Sequence, residues 1–216
     1  EDLATYPRDA DRDLAMLGAA GVDGVFLPSV DEVYPPGAQT IVETTELARV
    51  LMGKLRPGHF RGVATVVTKL FNIVQPDIAC FGEKDYQQLC IVRQMVRDLD
   101  VPVVIEGVPT VREADGLALS SRNVRLTAED RAASVVLSQS LFAAEEMAKT
   151  GITASRLRAW VAANIQAEPR ADLQSADIRD AETLATIAGP LVRPAVILLA
   201  VRFGKVLLID QRVVTP

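Results

Sequence analysis

Hydrophobic and polar positions follow two different patterns near the middle of the chain. Ile78 to Phe81 form a short, continuous apolar run that Gly82 ends, which predicts a buried strand of a parallel sheet. From Tyr86 to Leu99, apolar residues recur every three or four positions, which predicts a helix. A strand, a charged turn and a helix N-terminus therefore follow one another here.

The same patterns predict the remaining elements of the chain. Thr127 and Asp130 form a start signal for a capped helix, and Gly204-Lys205 join two apolar runs as a hairpin. Helices are predicted over residues 11–20, 45–52, 63–74, 127–151 and 154–166, and strands over 22–27, 103–108, 175–178, 195–203 and 206–209. This order predicts a parallel α/β part followed by a smaller α+β part.

Composition narrows the class of protein. The 216 residues are 49% hydrophobic and 24% charged, which is typical of a globular chain. A net charge of -5 argues against nucleic acid as a partner. The longest apolar run, 195–201, is far shorter than the ~20 residues that span a bilayer, so we expect no membrane association and a cytoplasmic protein. Cys80 and Cys90 lack metal-ligand spacing and are expected to be buried, reduced thiols.

The turn from Gly82 to Asp85 is the first candidate site. In open α/β sheets, ligands bind beyond the carboxyl ends of the strands, where backbone N–H groups and a helix N-terminus favour phosphate. Lys84 would add a positive charge there. By itself, however, a Gly-Glu-Lys-Asp turn is more often a solvated loop.

Two further stretches carry candidate chemistry. Ser120, Ser121 and Arg122 supply two hydroxyl groups and a guanidinium, which fits phosphate in a bidentate manner, although alone they could be a polar loop before a helix. His59, the only histidine, lies between two arginines and two glycines, which suggests a loop that approaches an anion. A histidine at a helix start is otherwise usually a cap or a packing residue.

Together these motifs resemble a known family. Residues 81–89 read FGEKDYQQL, residues 115–123 read DGLALSSRN and residues 56–63 read RPGHFRGV. In this order they resemble the pantothenate synthetase family, the pantoate–β-alanine ligases of the adenylate-forming nucleotidyltransferase superfamily, over essentially the whole chain. The resemblance implies a Rossmann-like domain over 1–110 and an α+β lid domain over 111–216. It also implies that pantoate attacks ATP to give pantoyl adenylate and pyrophosphate, and that β-alanine then displaces AMP to give pantothenate.

The resemblance also implies roles for individual residues. Lys84, Ser120, Ser121 and Arg122 would act in catalysis, Gln88 would bind pantoate with His59 in support, and Asp13 would lie near Mg²⁺. Arg12 stands where some relatives carry a second acid, which weakens the case for Asp13. The residues implied to contact ATP are Gly82, Glu83, Lys84, Asp85, Val111, Leu119, Ser120, Ser121 and Arg122.

One departure from the family is large. The family begins with a strand, a helix bearing an HxGH-type motif and a second strand, and none of these is in the sequence, although the main catalytic histidine belongs to that motif. We therefore expect the Rossmann-like domain to be incomplete at its N-terminus. We expect the complete protein to make pantothenate and the 216-residue chain alone to be inactive. The family also implies a homodimer.

Two alternatives stay open. The first is another enzyme of the same superfamily, such as a cytidylyltransferase, which the Gln88 motif disfavours. The second is a catalytically incomplete piece that binds a nucleotide or dimerises.

Overall fold

A computed structural model describes residues 9–216. The chain divides into two compact units, one that ends at Thr40 and one that spans Ile41–Pro216. Among the described residues, no helix is both long enough and apolar enough to cross a bilayer.

The described part of the first unit contains two helices, α1 (Ala10–Ala19) and α2 (Val30–Val33). Asp9 caps α1 by accepting a hydrogen bond from the Arg12 N–H, and Ser29 and Glu32 form a reciprocal capping box on α2. The helix predicted over 11–20 is thus confirmed. No residue of α1 is buried, however, so the periodic apolar residues do not face a core within the described chain.

The strand predicted over 22–27 is wrong. These residues form no strand, and Phe26 and Leu27 are exposed. A strand exists only through hydrogen bonds to a neighbouring strand, and the described residues 9–40 contain none. The apolar run has the composition of a strand without a pairing partner.

The second unit contains a βαβ arrangement that follows two helices. α4 carries the predicted helix over 63–74 but starts earlier, directly after Gly58, whose φ of 79° suits glycine. Strands β1 and β2 run parallel, with Ile78 opposite Val104 and Gly82 opposite Val108. The elements are α3 (Met52–Leu55), α4 (His59–Val74), β1 (Ile78–Gly82), α5 (Tyr86–Asp98) and β2 (Val104–Val108). Short 3-10 turns at Leu47–Arg49 and Glu83–Asp85 connect them, so the single helix predicted over 45–52 is replaced by a 3-10 turn and α3.

The strand β1 is partly buried on one face and exposed on the other, which corrects the expected burial on both. Ala79 and Phe81 pack on the core that α4 and α5 share, whereas Ile78 is 58% exposed. The expectation of a buried thiol is likewise wrong for Cys80, which is exposed, and right for Cys90 on α5. Successive side chains of a strand point to opposite faces, and the described helices cover one face of this two-stranded sheet.

An antiparallel sheet with three helices forms the C-terminal part. The helix over 154–166 and the strand over 195–203 are found as predicted, as is the hairpin that follows. The helix predicted over 127–151 is two helices, because the chain breaks at Ser134 and Val135, where the Ser134 hydroxyl donates to a backbone carbonyl. The elements are α6 (Ala128–Ala133), α7 (Val136–Ala148), α8 (Ala154–Gln166), β3 (Ala171–Asp180), β4 (Ala195–Phe203) and β5 (Val206–Val214), in the sheet order β3-β4-β5.

The fold class is α/β with a C-terminal antiparallel sheet, as predicted. The largest core lies under that sheet, where α7 and α8 pack Leu141, Leu157 and Ile165 against Ile197 and Phe203. The domain boundary at 110/111 falls between the end of the parallel sheet at Val108 and this C-terminal part, and it stays a prediction.

Candidate active site

A cavity opens where the loop after β1 meets the C-terminal sheet. Its walls come from distant parts of the second unit, and it combines charged, amide and apolar groups. It is lined by Leu51, Met52, Arg56, His59, Phe60, Lys84, Asp85, Tyr86, Gln87, Gln88, Ser175, Asp177, Leu198, Leu199, Ile209 and Asp210. We call it the main cavity.

Lys84 connects the main cavity with a second, smaller one. Lys84 and Asp210 line both, and Ser120 and Asn123 line the second. Gly82 ends β1 in an extended conformation, and the 3-10 turn Glu83–Asp85 then leads directly into α5. The lysine therefore stands at the N-terminal end of α5, where backbone N–H groups and the helix dipole also favour an anion.

The charge of Lys84 is under opposing influences. Burial lowers the pKa of its ammonium below the usual value, and the nearby Arg122 guanidinium lowers it further. The carboxylates of Asp85 and Asp210 oppose this by stabilising the charged form. An incoming polyanion would act in the same direction as the two carboxylates, so Lys84 is suited to hold phosphate.

The surroundings of His59 favour the neutral ring and one tautomer. Arg56 Nη1 lies 3.1 Å from His59 Nε2. A guanidinium can only donate, so Nε2 must accept, and the ring proton is on Nδ1. Burial lowers the pKa of His59, as do Arg56 and Arg122, while Asp85 raises it. In this tautomer His59, which lines the main cavity, carries its N–H donor on Nδ1.

Arg112 forms a largely buried ion pair with Asp210, which lines both cavities with Lys84. The Arg112 Nη1 and Nη2 atoms lie 2.7 and 2.9 Å from the two carboxylate oxygens of Asp210. The Arg112 guanidinium also donates to the Gly116 carbonyl and lies over the Phe142 ring. These contacts fasten the turn around residue 116 to β5.

Further ion pairs hold the same turn from its other side. Arg131 on α6 contacts Glu113 at 2.7 Å and Asp115 at 2.8 Å, and its hydrogen bonds lower the pKa of both carboxyl groups. The Asn123 amide donates to Glu113 and to the Ala118 carbonyl. The segment that carries Ser120 and Arg122 is therefore tied at both ends.

Within that segment, the backbone is folded on itself. The Leu119 N–H donates to the Val111 carbonyl at 2.9 Å, and the Arg122 N–H donates to Ser120 Oγ at 3.2 Å. The side chains of Val111 and Leu119 are exposed.

The structure brings some of the sequence-predicted residues together. His59, Lys84, Asp85 and Gln88 line the main cavity, and Ser120 lines the adjoining one. The other predicted residues of this unit line neither cavity, although Arg122 is close enough to lower the pKa of both Lys84 and His59. These are Gly82, Glu83, Val111, Leu119, Ser121 and Arg122. Asp13 lies in the first turn of α1, in the other unit.

Several lining residues were missed by sequence reasoning. Ser175, Asp177 and Asp210 reach the cavity from β3 and β5. They belong to strands with no local motif, so only the tertiary fold places them there. Arg56 was noticed as part of a loop, but its contact with His59 was not predicted.

The described residues contain no group of three or more His, Cys, Asp or Glu side chains that could hold a metal ion. The Asp210 carboxylate, which lines the cavity, is engaged by Arg112 through both oxygens. Asp210 is therefore not free to hold a metal ion without giving up this pairing.

Comparison with known proteins identifies the family. The family model for pantoate-beta-alanine ligase matches residues 1–213. The chain belongs to the pantoate–β-alanine ligase family. Pantothenate synthetase from Bartonella tribocorum is 56% identical over 212 residues, which cover 98% of this chain and 74% of that protein. The enzyme of the same name from Agrobacterium fabrum is 52% identical over 215 residues, which cover 99% and 74%.

Solved structures of pantoate–β-alanine ligases share the fold. Pantothenate synthetase from Thermus thermophilus matches with a TM-score of 0.95 and 47% identity, over 100% of this chain and 78% of that one. A pantoate–β-alanine ligase from Francisella tularensis, solved in complex with beta-gamma ATP and β-alanine, matches with a TM-score of 0.75 and 33% identity, over 98% and 72%.

Proposed function

We propose that the protein joins pantoate to β-alanine at the expense of ATP, through a pantoyl-adenylate intermediate, and releases AMP and pyrophosphate. Membership of the pantoate–β-alanine ligase family over residues 1–213 is the observation that carries this proposal. The main cavity supports it, because Lys84 and the Gln88 amide face one space.

In the first step, the pantoate carboxylate attacks the α-phosphorus of ATP and the bond to pyrophosphate breaks. Negative charge shifts onto the departing pyrophosphate, so cations fixed in advance lower the barrier. Lys84 and Arg122 would supply this charge, and the hydroxyl groups of Ser120 and Ser121 would donate hydrogen bonds. Gln88 would hold pantoate in line, because its amide offers both a donor and an acceptor to a hydroxy acid.

In the second step, the uncharged amine of β-alanine attacks the acyl carbon and AMP leaves. His59 would assist by donating its Nδ1–H to an anionic group of the substrates. The mixed anhydride must meanwhile be kept from water. The tied segment around Ser120 and the strands β3 and β5 would form a lid over it.

The proposal also includes a magnesium ion. ATP would bring Mg²⁺ on its own phosphates, since this ion is usually held by phosphates and only one or two carboxylates. Asp13 would be one such carboxylate, and neither of the two reaction steps depends on it.

The protein would work as a cytoplasmic homodimer. Its ATP-binding part would end at residue 110 and its lid would begin at Val111.

Exchange of labelled pyrophosphate into ATP tests the first step by itself. We expect the intact protein to catalyse this exchange when pantoate is present and β-alanine is absent. A nucleotide-binding piece without catalysis would show no exchange. A cytidylyltransferase would show exchange with CTP, and either result would contradict the proposal.

A further inference from the structure

The loop before α3 contains a strained turn. Leu51 has φ 50° and ψ −123°, and the Gly53 N–H donates to the Val50 carbonyl at 2.8 Å. These values are close to the first central position of a type II′ turn, which glycine normally occupies. A leucine there persists only when the surroundings hold it.

Gln87, the second residue of α5, provides that hold. Its Oε1 accepts from the Met52 N–H at 3.0 Å. Its Nε2 donates to the carbonyls of Leu47 and Val50 at 2.9 and 2.8 Å. The amide is buried, so all three bonds are sheltered from water.

The turn also fits tightly against the preceding 3-10 turn. A Cβ atom at Gly53 would collide with the carbonyl oxygen of Ala48. The turn from Val50 to Gly53 therefore packs closely on the backbone of Ala48. It is also held by the three hydrogen bonds of Gln87.

This turn forms one wall of the main cavity. Leu51 and Met52 line it together with Gln88, the neighbour of Gln87 on α5. Leu51 also packs on the small core that includes Tyr86 and Cys90. Gln87 and Gln88 both line the main cavity, and the amide of Gln87 is in addition bonded to the turn.

We propose that Gln87 is a positioning residue for the acid substrate, because it sets the wall that the strained turn presents beside Gln88. This inference rests on the proposed function, since the pocket in question is that of pantoate. Gln87 need not touch a substrate to exert this effect.

The variants Q87L and Q87E test how far the hydrogen bonds of the Gln87 side chain hold the turn. Leucine removes all three hydrogen bonds, whereas a buried glutamic acid, kept neutral because two carbonyls face it, keeps an acceptor for the Met52 N–H and one of the two donations. Q94L is the matched control, because Gln94 lies on the same helix and bonds to Asp98 and Arg97 at the surface. Each variant is compared with the unchanged protein below its unfolding temperature.

Two readouts are measured. Amide hydrogen exchange at Met52 should speed up strongly in Q87L and remain slower in Q87E. The KM for pantoate should rise about tenfold in Q87L and less in Q87E, while the KM for ATP changes less than about twofold. A purely structural role would lower the amount of folded enzyme without this difference between substrates.

Unchanged exchange at Met52 in both Gln87 variants would overturn the inference, as would faster exchange with an unchanged KM for pantoate. If Q87L does not fold, Q87E decides by the same criteria. An unchanged protein that forms no AMP would contradict the proposed function instead, and the exchange at Met52 would still decide whether Gln87 holds the turn.

Discussion

The Arg112 guanidinium and the Asp210 carboxylate meet through two hydrogen bonds of 2.7 and 2.9 Å, and Asp210 lines the main cavity together with Lys84. Their side chains are 15% and 1% exposed. Asp210 thus neutralises Arg112 and also favours the charged form of Lys84. The Asp210 carboxylate therefore interacts both with Arg112, which holds the turn around residue 116, and with Lys84 at the proposed phosphate site.

Removal of Arg112 should destabilise the fold strongly. In R112M the buried Asp210 carboxylate loses its partner, so we expect the free energy of unfolding to fall by about 3–5 kcal/mol. The double variant R112M/D210N should recover part of this loss, because no unpaired carboxylate remains at position 210. Urea unfolding measures both. K149M, which breaks an exposed ion pair with Glu146, serves as the control and should cost at most about 1 kcal/mol. A loss in R112M as small as that in the control would refute this account of the pair.

Replacement of Lys84 should separate catalysis from stability. We expect K84M to slow pantoate-dependent pyrophosphate exchange by about 10²–10³, because it removes a cation from the transition state. The folded protein should unfold at the same or a higher temperature, since burial disfavours the lysine charge. K205M, in the exposed hairpin, should exchange at the normal rate. Equal exchange rates in K84M and K205M would remove Lys84 from the proposed mechanism.

The two thiols should differ in reactivity. Cys80 is exposed, and Cys90 is buried with a pKa raised by burial to about 11. At pH 8 we expect a thiol reagent to modify one cysteine per folded chain, and mass spectrometry of peptides should identify it as Cys80. In urea, both should react. Rapid modification of Cys90 in the folded protein would show that α5 is not packed as described.

Stability should decline at alkaline pH. Burial raises the pKa of Cys90 from 9.0 to about 11 and that of Tyr86 from 10.0 to about 12. The unfolded chain releases these protons first, so the stabilisation is present below about pH 9 and is lost as the pH rises toward 11 and 12. Each proton contributes a slope of about 1.4 kcal/mol per pH unit.

Urea midpoints between pH 8 and 11 measure this effect. The variant Y86F should show a smaller decline above pH 10, because it no longer carries the phenol. A midpoint that is constant over this range would contradict the buried placement of both groups.

The sequence allowed good prediction where the signals are local. The strand, turn and helix from Ile78 to Asp98 and the cap at Thr127 depend on neighbouring residues, and the structure contains them. The strand over 22–27 could not be predicted correctly, because strand formation requires a partner that local composition does not reveal. The exposure of Cys80 depends in the same way on which face of the sheet the helices cover.

Residues of the candidate site also differ in whether a local sequence signal reveals them. Lys84, Asp85 and Gln88 lie within five consecutive residues and could be found as a motif. Asp210 reaches the cavity from β5, and its partner Arg112 lies 98 residues earlier, so neither carries a local signal. The role that we infer for Gln87 depends on three backbone contacts with a distant loop, and no pattern along α5 predicts them.

The most direct test of the proposed function is AMP formation by the intact protein with ATP, pantoate and β-alanine. We predict one AMP and one pyrophosphate for each pantothenate formed, and no sustained AMP formation when either pantoate or β-alanine is left out. Formation of ADP, or AMP formation that is independent of pantoate and β-alanine, would contradict it.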